Sequence, residues 1–72
     1  MTAPKPVAKI TVPLSEASVQ ALAGLSQRTG LGNADLVNRA IQALEFWDIE
    51  TRAGNQLLAR RPDGTTYEIH QL

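Results

Sequence analysis

Polar and apolar residues alternate strictly between Lys9 and Leu14. Lys9, Thr11 and Pro13 share one side, and Ile10, Val12 and Leu14 share the other. A period of two predicts a half-buried strand over about residues 8–14. The spacing then changes. Ser15 is a good N-cap, and Val19, Leu22 and Leu25 follow at helical intervals, which predicts a helix from Glu16 to Thr29 closed by Gly30. A second helix is predicted from Asn33 to Arg52, with Leu36, Val37, Ala40, Ile41, Leu44 and Trp47 as its apolar stripe and Ala53-Gly54 at its end. Beyond it, residues 56–60 and 66–70 flank Pro62-Asp63-Gly64. Proline presets φ and glycine accepts positive φ, so this is a hairpin turn. The strand at 8–14 has no neighbour nearby in its own chain, which suggests that a second copy supplies one.

The pattern divides the chain into a flexible arm (1–7, broken by Pro4 and Pro6), a strand-helix-helix unit (8–53) and a C-terminal β-hairpin extension (54–72). The fold class expected is mostly α with short β. A chain of 72 residues is one domain at most and marginal as a monomer. Without cysteine it has no disulfide or thiolate metal site to staple it, which leaves helix packing or oligomerisation. Hydrophobic residues make up 43%, enough for a core.

Seven basic and seven acidic residues balance, unlike the profile of a general nucleic-acid binder. The charges are nevertheless segregated. Lys5 and Lys9 precede every acid, whereas Glu45, Asp48 and Glu50 crowd the second helix. No apolar run is long enough to span a membrane, and residues 1–6 lack an apolar leader, so a cytoplasmic location is the default expectation.

Catalytic chemistry has little support. His70 is the only histidine and has no carboxylate at ligand spacing, so neither a metal nor another cofactor is expected. The serines at 15, 18 and 26 sit in helical or capping positions without a basic partner. So short a chain also builds little concave volume. The chain reads as a non-enzyme.

The order of Lys9-Ile10-Thr11-Val12-Pro13-Leu14-Ser15-Glu16, then Gly30-Leu31-Gly32-Asn33, then Leu36-Val37-Asn38-Arg39-Ala40-Ile41 resembles the ribbon-helix-helix repressors, the class of Arc and the methionine repressor. The resemblance covers about residues 8–52. It implies a homodimer in which two strands form an intermolecular antiparallel ribbon that enters the major groove of double-stranded DNA. Carried over by position, Lys9, Thr11 and Pro13 face the bases. Ile10, Val12 and Leu14 face a shared dimer core with Leu36, Ile41 and Leu44. Gly32, Asn33 and Ala34 offer backbone N–H groups to a phosphate at the second helix's N-terminus, and Lys5 is a further phosphate candidate from the arm. The implied function is transcriptional repression or copy control, with two dimers on adjacent half-sites.

The chemistry of the ribbon face is consistent with that role. Lys9 can donate to guanine O6 or N7. Thr11 can donate or accept, and its methyl can touch thymine. Two departures stand out. Pro13 offers no hydrogen bond to a base, and it has no N–H for the ladder. In a ribbon centred on Thr11, Pro13 therefore lies opposite Lys9 of the second copy at a non-hydrogen-bonded pair, and Ile10 and Val12 carry the bonds. Gly32 stands where the class usually has a Ser or Thr cap, so Asn33 is the candidate cap. Two alternatives remain at this stage. One is an antitoxin whose tail binds a toxin. The other is a dimeric protein-interaction module without DNA binding, in which the hairpin also offers a protein contact.

Overall fold

A computed structural model of the chain describes residues 7–70. Among the described residues the protein is mostly helical, with two helices and one two-stranded antiparallel sheet: α1 (Glu16–Thr29), α2 (Asn33–Arg52), β1 (Leu57–Arg60) and β2 (Thr66–Ile69). Lys5 and most of the expected arm lie outside the described residues. The chain divides into two compact units, Met1–Ala40 and Ile41–Leu72, and α2 contributes to both.

The first unit holds α1 and the start of α2. Ser15 caps α1: its backbone is extended, and its Oγ accepts from the Ser18 amide at 3.1 Å. Such a cap satisfies one of the helix's orphan donors, and its loss costs about 1 kcal/mol. At the other end Gly30 adopts a left-handed conformation, φ 75°, and its amide donates to the Ser26 carbonyl at 2.8 Å. This single bond from C′ to C3 is the αL termination, which favours glycine because it has no Cβ to crowd the backbone. Thr29 Oγ1 donates to the Leu25 carbonyl and accepts from the Leu31 amide, so the turn is tied on both sides.

The expected Asn33 cap is corrected. Asn33 is already the first helical residue, and the Gly32 carbonyl accepts the first helical bond, from the Leu36 amide at 3.1 Å. A residue with helical backbone sits too far into the helix to turn its side chain back as an N-cap.

In the second unit α2 ends in a Schellman motif. The Asn55 amide donates to the Glu50 carbonyl at 3.0 Å, and the amide of Gly54, φ 87°, donates to the Thr51 carbonyl at 3.1 Å. Asn55 Nδ2 adds a bond to the Glu50 carboxylate at 2.7 Å, and Arg52 pairs with Asp48 at 3.0 Å. In the hairpin, the Gly64 amide donates to the Arg61 carbonyl and the Arg61 amide donates to the Thr65 carbonyl. Pro62 and Asp63 are the central residues of this turn, and Gly64 follows at φ 94°. That is a type I turn with a G1 bulge, the usual three-residue hairpin loop. Asp63 Oδ1 accepts from both the amide and the hydroxyl of Thr65, at 2.9 and 2.7 Å. Arg61 lies 4.4 Å over the Tyr67 ring.

Residues 8–14 form no strand within the chain, and the sheet consists of β1 and β2 alone. A ladder needs a second strand, and none of the described residues supplies one. The core is correspondingly thin. Leu36, 8% exposed, is the one buried hydrophobic residue among those described. Val7, Ile10, Val12, Ile41, Leu44 and Phe46 are each more than half exposed.

Candidate DNA-binding and dimerisation surface

The segment ahead of α1 is presented by the Ser15 cap, which holds the chain extended where it leaves the helix. Lys9, Thr11 and Pro13 are exposed, and neither Lys9 nor Thr11 is engaged in a side-chain hydrogen bond or ion pair among the described residues. Their apolar neighbours are equally open: Ile10 is 79% exposed, Val12 56% and Leu14 49%. Isoleucine and valine so exposed, in strict alternation with polar residues, form an apolar row with nothing packed on it.

Leu14 also edges an open apolar concavity of about 230 Å³ in the first unit. Leu22 and Leu25 of α1 and Leu36, Val37 and Ala40 of α2 line it, with Leu36 its most buried member. Its walls are almost entirely hydrocarbon, so water inside gains few hydrogen bonds and an apolar occupant is favoured. Further along α2, Ile41 and Leu44 are each more than half exposed. Leu14 and Leu36 of the expected dimer core thus share one concavity, while Ile10, Val12, Ile41 and Leu44 are outside it.

The N-terminus of α2 carries the second candidate element. The amides of Asn33, Ala34 and Asp35 precede the first helical bond and have no partner among the described residues. Free donors and the positive end of the helix dipole converge there, an arrangement that suits a phosphate oxygen. Asp35 lies in the same turn and is half-buried, and its carboxylate opposes an anion.

Sequence reasoning missed the Ser26 and Thr29 bonds that tie the inter-helix turn. Their only sequence signal was hydroxyl residues placed just before a helix-ending glycine. Of the described ionisable groups, Asp63 has a perturbed carboxyl, held below its ordinary 3.8 first by the Thr65 amide and then by the Thr65 hydroxyl. It belongs to the hairpin turn and has no part in either candidate element. No group of three or more metal-ligating side chains occurs among the described residues, nor does any helix there have the length and apolarity to cross a membrane. No family model, curated protein or solved structure matches the chain.

Proposed function

We propose that the protein is a homodimeric ribbon-helix-helix DNA-binding protein that acts as a transcriptional repressor or copy-control regulator. One observation carries the proposal: the alternating segment 9–14 stands with its apolar side uncovered beside an open hydrocarbon concavity, and Leu36 is the one buried hydrophobic among the described residues. Pairing with the same segment of a second copy satisfies both deficits. It supplies the missing ladder partner, and it covers Ile10, Val12 and Leu14. The opposite face of that ribbon carries Lys9 and Thr11, whose donors match base edges in a groove wide enough for two strands. The amides of Asn33 and Ala34 then position the dimer on phosphates.

Gel shifts on randomised duplexes at low salt, followed by selection of the bound sequences, test this reading. The double variant Lys9→Ala, Thr11→Ala is expected to bind with altered sequence preference. An unchanged preference removes the ribbon from base readout. About six phosphate contacts would lower affinity roughly a thousandfold between 50 and 200 mM salt.

A second reading, a dimer that binds protein rather than DNA, draws on the balanced charge, on Pro13 in the reading face and on Asp35 at the phosphate end. Absence of any DNA complex at 50 mM salt, together with a salt-insensitive protein partner, favours it. The ordered hairpin weighs against an antitoxin tail, since tails of that kind fold only on their toxin.

A further inference from the structure

We infer that the outer edge of β1 is a second self-association site, at which two copies pair their hairpins into a four-stranded antiparallel sheet centred on Leu58. The inference is independent of the N-terminal ribbon and of DNA binding.

Strand register fixes which groups face outward. The Arg61 amide bonds to the Thr65 carbonyl, and the ladder runs Arg60 opposite Thr66, Ala59 opposite Tyr67, Leu58 opposite Glu68 and Leu57 opposite Ile69. Hydrogen-bonded and non-hydrogen-bonded pairs alternate in an antiparallel ladder. Ala59 and Leu57 therefore bond inward to β2. The N–H and C=O groups of Leu58 and Arg60 point away from the hairpin, with no strand beyond them among the described residues. An edge of this kind is a template for another strand, and two strands alone are marginal in water.

The side chains select the occupant. Leu57, Ala59, Tyr67 and Ile69 share the hairpin's apolar face, and Leu58 stands on the other face among Arg60, Thr66 and Glu68. Leu58 is 57% exposed and is the large apolar side chain on that polar face. β1 is self-complementary about it. A two-fold axis at Leu58 sets Leu58 opposite Leu58, Leu57 opposite Ala59, and Gln56 opposite Arg60 of the second copy. No like charges then lie opposite one another. The outward groups of Leu58 and Arg60 fall at hydrogen-bonding pairs, and the apolar face continues unbroken across the axis. A one-residue slip would set an outward-facing residue against an inward-facing one and mix the two faces. β2 is the poorer edge, because Glu68 lies near its middle and, centred there, would meet its own copy.

The test is an isotope-filtered NOE experiment on the full chain, with half of the copies labelled. In the proposed register the Hα atoms of Leu57 and of Ala59 in the second copy meet across the axis, giving an intermolecular NOE between them. The Leu58 and Arg60 amides are expected to exchange more slowly than the outward Glu68 amide. Leu58→Lys is expected to weaken the association that carries this NOE by about tenfold to a hundredfold, with the hairpin's own cross-strand NOEs retained. Absence of the Leu57–Ala59 NOE in a self-associated sample overturns the inference. So does unchanged association of the Leu58→Lys protein, and so does equal exchange of the Leu58 and Glu68 amides. None of these readouts involves DNA, so failure here leaves the ribbon reading standing.

Discussion

Ser26 Oγ donates to the Leu31 carbonyl at 2.8 Å, joining the last turn of α1 to the loop that leads into α2. The bond spans the glycine-induced reversal at Gly30, and Ser26 is half-buried. Truncation to alanine leaves the Leu31 carbonyl without that donor. Ser26→Ala is expected to lower stability by about 1 kcal/mol, read as a lower urea midpoint at unchanged m-value.

The two glycines of the turn are expected to respond in opposite directions. Gly30 has φ 75°, and a Cβ there meets nothing within 4 Å, so the cost of Gly30→Ala is conformational alone. It is expected to be about 1–2 kcal/mol. Gly32 has no positive φ, and its Cβ position is also open. Gly32→Ser adds a capping hydroxyl and is expected to stabilise by a few tenths of a kcal/mol. In gel shifts the same hydroxyl should tighten DNA binding, because it adds a donor at the phosphate site. Thermal melts of the two variants in parallel check the opposing signs.

Asp35 sets two demands against each other. Its carboxylate favours the N-terminus of α2 and opposes a phosphate at the same place. Asp35→Asn is expected to cost about 0.3–1 kcal/mol of stability while raising DNA affinity at low salt. If affinity falls in step with stability instead, phosphate binding at this helix end is excluded.

The hairpin is expected to weaken in acid. Asp63 has a carboxyl held below 3.8, first by the Thr65 amide and then by its hydroxyl. The folded-state value lies below the unfolded one. The contribution is therefore fully present above pH 3.8 and is lost as pH falls through the lower folded value. The Thr65 amide resonance, followed by NMR through that range, is expected to move toward its unfolded position as Asp63 protonates. Asp63→Ala should remove that transition.

Local structure was largely legible in the sequence. The bounds of both helices match their expected spans, because Ser15, Gly30 and Gly54 are strong stop and start signals whose action is confined to one turn. Pro62-Asp63-Gly64 fixed the hairpin loop for the same reason. The Asn33 cap was misassigned because capping depends on which residue first turns helical, and Gly32 and Asn33 are one step apart. The alternation at 9–14 points to a partner strand outside the segment. A period of two states that one side is covered, and no strand among the described residues pairs with it.

Sedimentation equilibrium of the full chain, diluted through the micromolar range with helix content followed by circular dichroism, tests the central claim most directly. Twice the 7.8 kDa chain mass, or a higher multiple, is the expected result, with helix signal lost as the assembly dissociates. A stable 7.8 kDa particle that keeps its helices at micromolar dilution would contradict it.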